Sequence, residues 1–266
     1  SMYDMFGKCS GLTSLDVNNF NTLKVTDMSN MFSNCIRLTN LNLNNFDTSN
    51  VTDMRYMFSS CEGLTNLSIS SFNTSKVKDM ESMFSNCSSL TTLDASSFYT
   101  PNVTNMYCMF SECSKLTSLN VNKFSTSKVR NMYHMFYNCK KLTSLNVSNF
   151  DTSSVTNMEG MFGNCSSLTS LNVSNFNTSS VTTMKSMFEN CRGLKSLQLS
   201  SKFKIFTGSS SGIFNNTTSL NSLILVDSEP LASQFTPVVS QLTGKTIYVP
   251  SKSAETAYEE SWSGDF

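Results

Sequence analysis

The most reactive side chains of this 266-residue chain are its nine cysteines. Eight of them, Cys9, Cys35, Cys61, Cys87, Cys113, Cys139, Cys165 and Cys191, stand 26 residues apart. A thiol ladder invites disulfide or metal chemistry, and the spacing argues against both. Zinc sites want ligands clustered as C-x-x-C or beside histidine, and His134 is the only histidine. Bridging needs Cα atoms within about 7 Å, whereas thiols ending packed helical segments would be about 8 to 10 Å apart. The ladder therefore reads as small buried hydrophobes. Cys108 lies outside it, at a variable position shared with Asn30, Tyr56 and His134, and is expected to be an exposed free thiol. Catalysis finds little support. With His134 at an outer variable position, a serine or cysteine nucleophile has no orienting partner. Asp27, Asp53 and Asp79 read as helix starts, the G-G-x-G-x-D calcium signature is missing, and no glycine-rich loop cradles phosphate. The expectation is a non-enzyme without metal or cofactor.

Two groups suit binding instead. Tyr99, Tyr107, Tyr133, His134 and Tyr137 gather with Lys115, Lys123, Lys128, Arg130, Lys140 and Lys141, and only Glu112 opposes them between residues 111 and 141. Tyr107 and Tyr133 are one repeat apart and Tyr137 is one helical turn further, so several of these rings are expected to share one convex or lateral patch. Aromatics with cations anchor interactions, here with an anionic glycan or acidic protein. The second group is the outward strand row of Asp16, Asn42, Ser68, Asp94, Asn120, Asn146, Asn172 and Gln198. Such amides and hydroxyls suit a glycan or an extended peptide, and they equally suit any solvated strand face. A threonine column at Thr22, Thr48, Thr74, Thr100, Thr126, Thr152 and Thr178 raises ice binding, but lacks the T-x-T pairing that flat threonine arrays use.

These residues are positioned by a repeat. Phe6, Phe32, Phe58, Phe84, Phe110, Phe136, Phe162, Phe188 and Phe214 keep the 26-residue register one unit beyond the cysteines, which counts nine units over residues 1–226 and leaves 227–266 as a cap. Within a unit, Leu12, Leu15, Val17 and Phe20 contain the two-residue step of a strand, with Asp16 on the opposite face. Val25, Met28, Met31, Phe32 and Cys35 step by three and four, the period of a helical face. No unit can bury its apolar face alone, so stacking must build a continuous core. The predicted fold is an α/β repeat solenoid: a curved leucine-rich-repeat array with a parallel sheet on the concave side and short helices or turns on the convex side. Strands about 4.8 Å apart against helices about 8 to 10 Å apart supply the curvature. The unit around residues 200–214 is irregular, since Phe203 falls one residue late and IFTGSSSG replaces the usual block, which predicts a loop near Gly208 to Gly212.

The unit MFGNCSSLTSLNVSNFNTSSVTTM at residues 161–184 closely resembles the BspA-like leucine-rich repeats, in particular a 26-residue bacterial surface-protein repeat. The likeness runs from Met2 to about residue 226, and KTIYVPSKSAETAYEESW at Lys245 to Trp262 is similar to the segment that closes such arrays. Phe20 and its equivalents depart from the commoner leucine-rich pattern, which places asparagine there, so no buried amide ladder is expected. The resemblance implies an extracellular, surface-anchored protein used for adhesion to a host or neighbouring-cell protein or glycan. A non-binding stalk is the alternative. Lysine plus arginine equals aspartate plus glutamate at 19 each, so no field draws the chain to nucleic acid or an anionic membrane. The chain as given has neither an 18-residue apolar run nor a leader. In the closing segment, Ile247 to Val249 reads as a strand, and a helix starting near Ser251 or Ser253 would set Ala254, Tyr258 and Trp262 on one face. The N-terminal repeat starts partway through its unit, so the chain reads as an excerpt whose uncapped end can self-associate.

Overall fold

The computed structural model describes residues 1–200, 202–205, 210–226, 244–251 and 255–256. Its strands are β1 Asn40–Asn42, β2 Asn66–Ser68, β3 Thr92–Leu93, β4 Ser118–Leu119, β5 Ser170–Asn172, β6 Ser196–Leu199, β7 Ser222–Leu225 and β8 Thr246–Tyr248. Every pairing is parallel, with Leu41 opposite Leu67, Leu93 opposite Leu119, and Leu171 opposite Leu197. The register is the repeat length, so each leucine sits over its equivalent and both neighbours face out. The last strand, β8, pairs with β7 and carries the sheet past the repeats, with Ile247 opposite Leu223.

Among the described residues of the repeats, the helices expected on the other side do not form. That side is a second parallel ladder, bridged through Asp27, Asp53, Asp79, Asn105, Asn131, Asn157 and Thr183, so the chain is a parallel β-solenoid. The N–H groups of Met28, Asn30, Phe32 and Asn34 donate to the carbonyls of Asp53, Arg55, Met57 and Ser59 on the next coil, at 2.7–3.1 Å. The intervening N–H groups of Ser33 and Cys35 close tight turns onto Asn30 and Phe32. Asn30 and Asn34 have φ of 58° and 61°, and their equivalents in later coils are also positive. A left-handed residue at every fourth position stops a right-handed helix, and asparagine tolerates that conformation better than most residues. Recurring turns also bring Met28, Met31, Phe32 and Cys35 inward, which explains the misleading steps of three and four. With a hydrogen-bonded ladder in place of packed helices on this side, the helix spacing from which curvature was expected does not arise.

The core is a set of columns. Met28, Met31, Phe32, Cys35 and Leu38 are fully buried, as are their equivalents through Leu194. Phe32, Phe58, Phe84, Phe110, Phe136, Phe162, Phe188 and Phe214 stack with centroids 5.5–5.7 Å apart. A second column runs through Phe72, Phe98, Phe124, Phe150 and Phe176 at 6.1–6.5 Å. The late Phe203 is still buried and packs against Phe188 of the first column, as Phe176 packs against Phe162, while the Thr178 hydroxyl donates to the Lys204 carbonyl.

Polar columns bind the coils where an amide ladder was not expected. The Thr48 hydroxyl donates to the Asn73 carbonyl and accepts from the Asn73 N–H, a motif repeated at Thr152 with Asn177. This column is at most 2% exposed, so it presents nothing to ice. The thiols are donors too: Cys61 Sγ lies 3.1 Å from the Phe32 carbonyl, and Cys191 Sγ 3.0 Å from that of Phe162. No disulfide joins the described cysteines, whose ladder thiols donate to a neighbouring coil's carbonyl, and the spacing argued from helices does not apply where no helix forms. Burial pushes the thiols of Cys61, Cys113 and Cys191 up to about 12.

Gly212 sits in a turn, while residues 206–209, and with them Gly208 and Ser209 of the predicted loop, lie outside the described residues. So do Ala254, Tyr258 and Trp262; of the predicted closing helix, Glu255 and Thr256 are helical, and the Glu255 N–H donates to the Ser251 carbonyl. No helix among the described residues is long and apolar enough to cross a membrane.

Candidate interaction surface

The outward strand residues form the row expected, and most of them are half committed to the backbone. Oδ1 of Asp16, Asn42, Asp94, Asn120, Asn146 and Asn172 accepts the N–H two residues on, at 2.9–3.1 Å. These are Asx turns, which close β1, β3, β4 and β5 at Asn42, Asp94, Asn120 and Asn172. The remaining half, an amide N–H2 or a second carboxylate oxygen, is left for a ligand. Gln198 makes no such turn and lies between Asn172 and Ile224 on β6. Two shallow grooves run along this face, one of about 400 Å³ by Asp16, Asn40 and Asn42, the other of about 460 Å³ by Asp94, Asn120 and Asn146. Asp27, Asp53 and Asp79 are Asx turns as well, not helix starts, accepting the N–H of Ser29, Arg55 and Glu81.

On the turn ladder the structure brings four predicted rings into one stack. Tyr107 and Tyr133 lie 4.8 Å apart and 8° from parallel, Tyr133 and His134 3.9 Å apart, and His134 and Tyr137 4.1 Å apart. Equivalent outer positions in adjacent coils put Tyr107 directly beside Tyr133, and His134 folds between the two tyrosines of its own coil. The next coil makes room. A Cβ on Gly160 would stand 2.3 Å from His134 Cδ2, and one on Gly163 would stand 3.0 Å from Tyr137 Cδ2. The rings therefore occupy the space that two missing side chains leave. His134 and Cys108 hold φ of 52°, which the turn ladder demands at that position in every coil.

Electrostatics around the stack differ from those read in the sequence. Burial holds the His134 imidazole below its ordinary value, against the pull of Glu159 and Glu112. Burial also raises Tyr107 to about 12, with Cys108, Tyr133 and Glu81 adding to it. None of the stack's ring contacts is with lysine or arginine. Lys128 Nζ donates to Asn102 Oδ1 at 2.8 Å, and Arg130 is seen through its backbone, bonded to Thr104 and Thr156 on the coils either side. Tyr99 is 54% exposed at another corner of the coil, where its carbonyl accepts from Thr74. The carboxylates Glu81 and Glu159 and the glycines Gly160 and Gly163 were missed. Aligning the units would have found them: Glu81, Tyr107, Tyr133 and Glu159 are successive residues of one 26-residue column. Cys108 is half-buried beside Tyr107, not exposed, and burial raises its thiol to about 11.

Two hydrogen-bonded ladders enclosing stacked phenylalanine columns define a repeat β-solenoid with a polar surface. The chain belongs to the family described as Mycoplasma protein of unknown function, DUF285, whose model matches residues 1–120 and 104–225. The BspA-like resemblance stands beside this as a likeness of the repeat unit. No curated protein matches the chain. A solved leucine-rich cell surface protein from Faecalibacterium prausnitzii is similar over 88% of this chain and 79% of its own, at 19% identity and a TM-score of 0.27.

Proposed function

We propose that this chain is an extracellular, cell-surface binding and adhesion module that recognises a protein or glycan partner through its repeat surface and performs no catalysis. The ring stack carries this reading. Four rings held at van der Waals distance, over two glycines that clear their space, are not required by the solenoid, whose other coils build the same ladder with non-aromatic residues such as Ser29, Arg55 and Lys185 in the Tyr107 column and Ser33, Ser59 and Ser85 in the Tyr137 column. Tyrosine-rich, rigid patches are typical interaction anchors. The strand-face grooves by Asp16 and Asp94 are a second, polar surface for the same role.

A stalk that binds nothing is the alternative. It is favoured by the hydrogen-bonded turn ladder, which runs from coil to coil without a break from Asp27 to Thr183 and makes a stiff spacer. The test is binding of the purified chain to a panel of matrix proteins and glycans, beside a variant carrying Tyr107→Ser, Tyr133→Ser and Tyr137→Ser. Loss of binding in the variant supports the stack as the adhesive surface. Retention moves the site to the strand face, and no binding by either protein supports the stalk.

A further inference from the structure

The ring stack is bordered by charge of one sign. Glu81, Glu112 and Glu159 all sit on the turn ladder, partly exposed, and each is held by neutral donors. Glu81 accepts from the Tyr56 hydroxyl and from Asn105, Glu112 from Asn138, and Glu159 from Thr183. None is in an ion pair; the one ion pair among the described residues joins Arg55 to Asp53. Lys185, next in the column after Glu159, forms none. The whole chain is neutral, so this local excess is not general acidity. Asn138 engages only Oε1 of Glu112, and Thr183 only Oε2 of Glu159, which leaves one oxygen of each for another donor. Because the rings cover one another's faces, a partner meets their edges and hydroxyls together with these carboxylates.

We propose that the turn-face stack docks cationic side chains of a partner protein, with Glu112 and Glu159 as charged anchors and Tyr107, Tyr133 and Tyr137 as the contact surface. The partner's charge is thus opposite to the one suggested by the lysines that surround these tyrosines in sequence. Guanidinium suits the site because its planar fork offers several N–H donors at once, to a free carboxylate oxygen and to the neighbouring tyrosine hydroxyls. The inference rests on the reading of this face as the binding surface and adds the chemistry of its ligand.

The probe is a fluorescein-labelled octa-arginine peptide, with octa-glutamate as its counterpart, each titrated with the intact chain and followed by anisotropy at two salt concentrations. Glu112→Gln with Glu159→Gln preserves shape and hydrogen bonding, and is expected to weaken octa-arginine about tenfold or more. Asp47→Asn with Asp151→Asn removes the same charge from another column and is expected to change affinity by less than about twofold. Thermal midpoints within experimental error of the parent establish that all variants fold. The proposal is overturned by equal weakening in both variants, by no octa-arginine binding, or by preference for octa-glutamate. If the panel ligand of the preceding test is lost with the tyrosines while octa-arginine does not bind, the surface stands and the cationic class falls. Should both fail, the surface falls as well.

Discussion

Gly160 is where the stack is most open to a quantitative test. It adopts φ of +58°, and a Cβ there would approach His134 Cδ2 to 2.3 Å and Nε2 to 2.5 Å, far inside contact distance. Gly160→Ala must therefore expel the imidazole from between Tyr133 and Tyr137. Each aromatic contact is worth about 0.5 to 1.5 kcal/mol, so losing both costs roughly 1 to 3 kcal/mol. Holding alanine in the left-handed region adds about 1 to 2 kcal/mol, offset by about 0.4 to 1 kcal/mol from restricting the unfolded chain. The net expectation is destabilisation of about 1 to 5 kcal/mol. Urea denaturation followed by circular dichroism measures it, with the slope checked because repeat arrays can unfold in parts. His134→Ala separates the two causes: with the ring already gone, Gly160→Ala should retain only its backbone cost. The cycle should show a coupling of about 1 kcal/mol or more. Additivity within about 0.5 kcal/mol would refute the claim that the glycine exists to seat the ring.

Four further outcomes follow from the same geometry. Native protein treated with Ellman's reagent at pH 8 should show Cys9 reacting first and Cys108 slowly, with Cys35 to Cys191 silent until unfolding; rapid reaction of more than two thiols would contradict the buried Sγ–H to carbonyl ladder. Tyr56 and Tyr107, raised to about 12 by burial, should escape ionisation as pH passes 10 in an ultraviolet titration. Since the unfolded chain ionises first, they stabilise the fold fully below pH 10 and lose that contribution between 10 and 12. His134, lowered by burial, has the reverse sign: its contribution is present above about pH 6.5 and is lost as pH falls toward the folded value. A thermal-midpoint pH profile of His134→Gln should lack that acid-side step. Asn146→Ala removes the acceptor for the Ser148 N–H at 3.0 Å and should cost about 1 kcal/mol; no change in urea midpoint would mean the Asx turn is incidental.

The first-order architecture was legible without coordinates because solenoid packing repeats in sequence whatever it repeats in space. The 26-residue columns of Phe32, Cys35 and Leu38 are residues that meet their own equivalents one coil away, so the period is the contact map. The strand was legible too, since Leu41 between Asn40 and Asn42 alternates as a pleat requires. The other half of the coil was not. Steps of three and four in Met28, Met31, Phe32 and Cys35 describe a helical face and a run of tight turns equally well. The available signal was the recurring asparagine of one column, Asn34, Asn86, Asn138, Asn164, Asn190 and Asn216, a residue that tolerates positive φ. Which carbonyl an N–H chooses, four residues back or 25 ahead, depends on a neighbouring coil that local propensity does not contain.

The candidate site divides in the same way. Sequence by itself determined that Tyr107 and Tyr133 are neighbours, because equal positions in adjacent coils must touch, and that Asp16, Asn42 and Asn120 line one face, because strands alternate. Only the tertiary structure decided that His134 lies between Tyr133 and Tyr137 over Gly160, and that Lys128 is held on Asn102 while carboxylates border the rings. Five residues separate Lys128 from Tyr133 along the chain, yet a coil that turns several times within 26 residues gives nearby residues different faces. Charge is additive along a sequence, but its field at a ring depends on distance and burial, and those belong to the fold.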